Sequence, residues 1–376
     1  MLLDDDHRAV QDAVRAFVQA EVAPHAARWD REHHFPAAEL KGLAALGCYG
    51  VAVPVEWDGA GLDYLALAVI LEEIAAGDGG TSTVVSVNNC PVCSILMAWA
   101  NDAQKARWLK PLARGDLLGA FCLTEPHVGS QADGLRTTAR RDGGDYVLDG
   151  VKQFITSGKN GDVAIVMAVT DKAAGKKGIS AFIVPTDAKG YSAARIEEKM
   201  GQHSSDTAQV LLEDCRIPAA NLLADEGMGL KIALSGLEGG RIGIAAQSLG
   251  MARAAFDAAL AYSKERIAFG KPIFEHQAVQ FRLAEMAMKI EAARQLIHHA
   301  ASLKDAGRPC LKEAAMAKLF ASEMAEAVCS AAIQTYGGYG YVSDFPVERI
   351  YRDVRVCQIY EGTSDVQKIL IGRALA

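Results

Sequence analysis

The sequence predicts an α+β protein with an N-terminal helical domain (residues 1–118), a middle antiparallel β-sandwich or barrel (119–224) and a C-terminal helix bundle (225–376). Three observations predict it. Apolar residues keep a helical period in the first stretch, break into short strand-like runs in the second, and return to a helical period in the third.

In the first stretch Val10, Val14, Phe17 and Val18 fall on one helix face, and an Ala-rich run occupies 65–76. Pro24, Pro36, Pro54 and Gly59-Ala60-Gly61 punctuate it. In the second stretch the β-type runs are Tyr146-Val147-Leu148, 163–169, 179–184 and Val210-Leu211-Leu212. Gly143-Gly144, Ser157-Gly158, Gly175 and Lys189-Gly190 separate them. No helix-length segment lies between these runs, which argues against alternating βαβ units. In the third stretch, Ala/Leu/Met/Glu-rich segments near 228–266, 274–305 and 310–336 are joined by short loops, so neighbours should pack antiparallel.

The net charge of -7 offers no basic excess for a phosphate backbone, so a nucleic-acid partner is not expected. The longest apolar runs, such as 163–169, are too short to span a bilayer. Met-Leu-Leu-Asp-Asp-Asp at the start fits neither a secretory nor a mitochondrial leader, and Gly-Arg-Ala-Leu-Ala at the end carries no peroxisomal or lipidation signal. A cytoplasmic location is the expectation. Eight scattered cysteines suggest free thiols in a reducing compartment. Cys90-Pro91-Val92-Cys93 has no second ligand pair to complete a zinc site, so no metal is expected there and small buried residues near a helix start are the better reading.

Three loops are candidate ligand elements. Phe121-Cys122-Leu123-Thr124-Glu125-Pro126-His127-Val128-Gly129-Ser130 combines a hydroxyl, a proline bend and a Gly-Ser pair, which can aim backbone N–H groups at a phosphate or can simply form a turn. Phe154-Ile155-Thr156-Ser157-Gly158 is a second hydroxyl loop. Gly337-Gly338, after Gln334, is either a helix stop or a place where a ligand approaches the backbone. Finally, Ile359-Tyr360-Glu361-Gly362-Thr363-Ser364 places a carboxylate after Val354, Val356, Ile359 and Tyr360. An apolar approach would desolvate Glu361 and raise its pKa, as a general base near neutral pH requires; a solvated loop residue is the plainer reading.

Five motifs in register resemble the acyl-CoA dehydrogenase family over essentially the whole chain. They are the 121–130 loop; Glu198-Lys199-Met200-Gly201 leading to Glu213-Asp214-Cys215-Arg216-Ile217-Pro218; Glu265-Arg266 with Phe269-Gly270-Lys271, Ile273 and Glu275-His276-Gln277; Gln334 with Gly337-Gly338 and Gly340; and Ile359 to Ser364. The resemblance implies FAD-dependent α,β-dehydrogenation of an acyl-CoA to the trans-2-enoyl-CoA. Glu361 would take the α proton, flavin N5 the β hydride, and an electron-transferring flavoprotein the electrons.

The same resemblance assigns Phe121, Leu123, Thr124, Gly129 and Ser130 to the flavin and its pyrophosphate, and Phe154 and Thr156 to the isoalloxazine ring. Thr363 and Gln367 complete that site. Gly337 is also implied to bind the cofactor, and Arg266, Phe269, Gln334 and Gly338 resemble residues that reach the cofactor of a neighbouring subunit, which implies a homotetramer built as a pair of dimers. Glu238, Arg241, Ser130 and Gly362 would meet substrate, with 130–135 and 202–205 toward its CoA moiety. Some relatives carry the base directly before the arginine equivalent to Arg241, but here that position is Gly240. Gly239, Gly240 and Ile242-Gly243-Ile244 resemble short-chain and short branched-chain members. The alternatives are an oxidase of the same fold and a non-catalytic acyl-CoA-binding module.

Overall fold

The computed structural model describes residues 3–375. In the N-terminal part the helix Asp5–Phe17 starts at Asp4, whose side chain accepts from the His7 N–H. Asp63 caps Tyr64–Gly77 in the same way, at 2.7 Å from the Ala66 nitrogen. The 64–77 helix is buried almost all round, so its apolar residues form no single stripe. Its two carboxylates, Glu72 and Glu73, are buried and neutralised by Arg294 at 2.9 Å and by Arg15 and Arg253 at 2.8 and 2.7 Å. The N-terminal and C-terminal helical parts are thereby tied together.

The middle part is one eight-stranded sheet: β1 Gly119–Cys122, β2 Thr138–Asp142, β3 Asp145–Thr156, β4 Val163–Val169, β5 Ile179–Pro185, β6 Tyr191–Ile196, β7 Thr207–Pro218 and β8 Leu222–Leu223. The order is β6-β7-β3-β2-β4-β5-β8, with β1 on β4. The ladders are antiparallel except where β1 and β2 meet β4, at Gly119 opposite Val163 and Thr138 opposite Val169. Val163, Ile165 and Met167 face a core shared with Leu109, Leu112 and Ile232, while Ala164, Val166 and Ala168 face Tyr146, Phe182 and Val210. Burial on both faces is why β4 reads as an unbroken apolar run.

The long C-terminal helices are Gly229–Glu265, Gln277–Asp305 and Leu311–Tyr336, within three residues of the expected limits. The 229–265 helix lies between the 64–77 and 311–336 helices. Gly250 allows the closest approach, since a Cβ there would run into the Glu72 carbonyl. Two shorter helices, Pro346–Val354 and Ser364–Leu375, bracket the segment that carries Glu361. All eight cysteines are free and buried, Cys90 and Cys93 inside a kinked helical turn. Among the described residues no helix is long and apolar enough to cross a membrane, and no three His, Cys, Asp or Glu side chains are placed to hold a metal ion.

Candidate active site

A 3-10 turn, Arg355–Gln358, follows the 346–354 helix, and the chain then reverses through two left-handed residues, Glu361 (φ 55°) and Gly362 (φ 92°). For a glutamate this conformation costs about 1–2 kcal/mol, so the surroundings must impose it. They do so through hydrogen bonds. The Gly362 carbonyl accepts from Lys318 Nζ and from Gln367 Nε2, each at 2.8 Å, and Gln367 Nε2 also reaches the Glu361 carbonyl at 3.3 Å. Thr363 Oγ1 accepts from the Val366 N–H at 3.3 Å and caps the last helix. On the other side Tyr360 OH donates to Gln247 Oε1 at 2.6 Å and accepts from Gln202 Nε2 at 3.4 Å. Gln247 in turn donates to the Gly79 carbonyl at 2.7 Å, so all three parts of the chain hold the residue before the base.

Glu361 Oε2 is shut off from solvent and has no hydrogen-bond partner, although the residue as a whole is only half-buried. Burial pushes the carboxyl up to about 7, against the opposing pull of Arg241 and Lys318. Its cover differs from the one the sequence suggested. Ile359 is 53 % exposed and faces outward, and the carboxylate instead lies on the 229–265 helix at Gly240. A Cβ at 240 would run into Oε2 and lie 2.7 Å from Cδ, so a side chain there and a carboxylate from 361 cannot share the space. Arg241 is 5 % exposed, with Nε and Nη1 unpartnered, and burial lowers its pKa. Gln367 Oε1 and Ser364 Oγ are likewise buried without partners. Orphaned polar atoms of both charges around one turn are what a ligand would satisfy.

Glu238 is directed elsewhere, accepting from Lys304 Nζ at 3.1 Å and Cys310 Sγ at 3.5 Å. Lys304 is therefore its ion-pair partner. Beside it Gly239 brings the helix against Cys90 and Tyr64; a Cβ there would lie 3.0 Å from Cys90 Sγ and from a Tyr64 ring carbon.

The 121–130 and 154–158 loops lie side by side. The Gln153 N–H donates to the Thr124 carbonyl at 2.8 Å, and Lys152 Nζ reaches Glu125 Oε1 at 2.8 Å and the Leu123 carbonyl at 3.3 Å. Glu125 also accepts from the Arg136 and Thr137 N–H groups at 2.8 and 3.0 Å, so this carboxylate of the motif shapes the loop. Phe121, Thr124 and Thr156 are half-buried, Leu123 is buried, and Gly129 and Ser130 are exposed. A Cβ on Gly129 would meet nothing within 4 Å. Phe154 sits at a bulge between β3 and β7 with φ 58° and is 63 % exposed, an aromatic ring held out by strained backbone.

The expectation that 202–205 faces a ligand does not hold. Gln202, Ser204 and Ser205 are buried in the junction between domains, where the Gln202 N–H donates to Asp353 and Ser204 donates to Asp78.

A third group is separate. A cavity of about 630 Å³ is walled by Arg266, Thr335, Gly337, Gly338 and Tyr339, with Arg266 over the Tyr339 ring at 5.7 Å. Gly337, φ 62°, ends the 311–336 helix, so both readings of the glycine pair have structural support. Gln334 is exposed and Phe269 is 96 % exposed. Lys318 was missed by the sequence reading. Its signal was there, because 314, 318, 321 and 325 share one helix face and the other three are buried alanines.

Domain models described as acyl-CoA dehydrogenase N-terminal, middle and C-terminal domains match residues 4–116, 120–215 and 227–376. The chain belongs to the acyl-CoA dehydrogenase family. It is 46% identical to the human (Homo sapiens) mitochondrial short-chain specific acyl-CoA dehydrogenase over 98% of this chain and 90% of that one. The solved butyryl-CoA dehydrogenase of Megasphaera elsdenii superposes with a TM-score of 0.97 at 40% identity, covering 100% of this chain and 99% of that one. A chain in a structure described as the electron transferring flavoprotein of Acidaminococcus fermentans superposes with a TM-score of 0.98 at 44% identity, with coverage of 100% and 99%. The family's enzymes are flavoprotein oxidoreductases of fatty acid oxidation, and the helix–sheet–helix order seen here is their fold.

Proposed function

We propose that the protein dehydrogenates a short- or branched-chain acyl-CoA at the α,β bond, with Glu361 as the base and FAD as the cofactor. The observation that carries this is the Glu361 carboxylate: its Oε2 is shut off from solvent and unpartnered, the group is pushed up to about 7, and it is seated on the bare backbone of Gly240. A base poised there is half ionised at neutral pH and strong enough to take a proton. Arg241 and Lys318 favour its ionised form. The Glu361 backbone N–H has no partner among the described residues and is free to donate to the thioester oxygen, which lowers the cost of enolate-like charge.

The residues fit FAD. The joined 121–130 and 154–156 loops, with Gly129 open and Phe154 held outward, make a cradle for a phosphate and a flat ring. Bound FAD would supply the two-electron acceptor for the β hydride. Thr124, Gly129, Ser130, Phe154, Thr156, Thr363 and Gln367 would hold it, and Arg266, Phe269, Gln334, Gly337 and Gly338 would reach the FAD of a second subunit in a homotetramer. The short-chain relatives and the tight wall of Gly239, Cys90 and Tyr64 support a small acyl group. The neighbour described as an electron transferring flavoprotein supports that class of acceptor.

The test is flavin bleaching by acyl-CoA thioesters from C4 to C16 plus isobutyryl and 2-methylbutyryl. Wild type should bleach fastest with C4 or a short branched chain. Glu361→Gln should keep FAD and bind substrate yet bleach at least about 10³-fold more slowly. Substantial turnover in Glu361→Gln would move the base elsewhere, and rapid reoxidation by oxygen alone would make the enzyme an oxidase. Light scattering checks the tetramer.

A further inference from the structure

Lys318 lies on the 311–336 helix with its side chain fully buried. Its Nζ donates to the Gly362 carbonyl at 2.8 Å, and among the described residues no carboxylate lies within 4.0 Å of it. Glu323, further along the same helix, is engaged by Lys368 at 3.6 Å. A buried ammonium with one neutral acceptor is costly, and a Leu or Met would fill the same space without that cost. What the amine contacts is the turn that aims Glu361. The Gly362 carbonyl is the point where two donors, Lys318 and Gln367, clamp consecutive left-handed residues.

Taking Glu361 as the base, we propose that Lys318 is its positioning residue: the ammonium fixes the Glu361–Gly362 turn and, together with Arg241, keeps the base ionised. The groups around Lys318 are Glu361 on the turn, Cys357 before it, Arg241 on the 229–265 helix and Glu323 on its own helix. Burial brings the amine down to about 8, so it loses its proton within reach of ordinary assay conditions. Activity should then need Glu361 deprotonated and Lys318 protonated. The pH profile is a bell whose acid limb belongs mainly to the carboxyl and whose alkaline limb belongs to the amine.

The experiment is stopped-flow bleaching of the FAD-loaded enzyme by a C4 acyl-CoA from pH 5.5 to 9.5, in wild type, Lys318→Met and Lys318→Gln. In Lys318→Met the bleaching rate should fall ~10–100-fold, with C4 acyl-CoA affinity changed less than about threefold, because the lost contacts act on the base. Its acid limb should move upward by about one pH unit and its alkaline limb should vanish. Lys318→Gln keeps a donor without the charge, so it should recover part of the rate but not the alkaline limb. Wild-type limbs and rates in either variant overturn the proposal.

A second readout needs no turnover. The infrared titration of the Glu361 carboxyl, assigned by difference from Glu361→Gln, should shift upward in Lys318→Met or in Lys318→Gln. An unmoved midpoint overturns the electrostatic role. Continued bleaching by Glu361→Gln would instead sink the reading of Glu361 as base, and the infrared result would still stand.

Discussion

Lys152, on β3, and Lys318, on the 311–336 helix, are both fully buried, but only Lys152 has a carboxylate to neutralise it. Its partner Glu125 is itself saturated by two backbone N–H groups, so the pair is closed and serves the shape of the 121–137 loop. Lys318 reaches a carbonyl, and the unsatisfied anion among its electrostatic neighbours is Glu361. Burial alone therefore does not mark a functional charge. The mark is burial left uncompensated beside another uncompensated group.

The sharpest way to break this contrast is to remove both amines and compare stability. Lys152→Met strands Glu125 in the interior and should cost about 3–5 kcal/mol in denaturant unfolding. Lys318→Met deletes an unpaired charge and should leave stability at pH 7 unchanged or raised. Equal losses would mean that the two lysines do the same job.

Next comes the carboxyl itself. Its folded value of about 7 lies above the ordinary 4.5, so the folded state binds this proton more tightly than the unfolded chain. That stabilisation is complete below about pH 4.5 and lost as pH rises through 7, a difference of about 3 kcal/mol. Glu361→Gln should accordingly unfold at a higher temperature than wild type at pH 8 but not at pH 4.5. Matching midpoints at both pH values would show the carboxyl to be solvated.

Gly240→Ala separates position from charge. The added methyl displaces the carboxylate while leaving Arg241 and Lys318 in place, so flavin bleaching should slow about 10²-fold with little change in unfolding. The smallest effect is expected at Phe154→Gly. Release of the strained φ and the entropy of glycine nearly cancel, giving less than about 1 kcal/mol in stability. FAD should nevertheless dissociate faster, measurable by the loss of flavin absorbance on dilution.

Much of this was readable from residue order. The three long helices came from their period, β4 and β5 from apolar runs bounded by glycines, and Glu361 from its motif. β2 and β6 went unrecognised because their exposed residues, such as Arg140, Arg141 and Arg195, give no apolar alternation. The helix Pro346–Val354 was legible in principle, with proline in its first turn and Arg352 reaching Glu348 four residues back at 2.8 Å. What could not be read is which neighbour covers a group. Ile359 precedes Glu361 yet faces solvent, and the true cover, Gly240, lies 121 positions earlier. The alanines on its helix face signalled that Lys318 is buried, but not what it meets there, because its partner, the Gly362 carbonyl, has no side-chain signature.

The buried cysteines have a consequence for a chain whose relatives move electron pairs. Burial raises all eight thiols above their ordinary range, Cys90, Cys215 and Cys310 to about 11 and Cys48 and Cys122 to about 12. At neutral pH none offers an oxidant a ready thiolate. The native protein is insulated from thiol redox traffic, and each cysteine becomes a silent tag that an alkylating reagent can reach only when the surrounding structure opens. Counting the tags that have reacted over time would map, segment by segment, how this fold breathes.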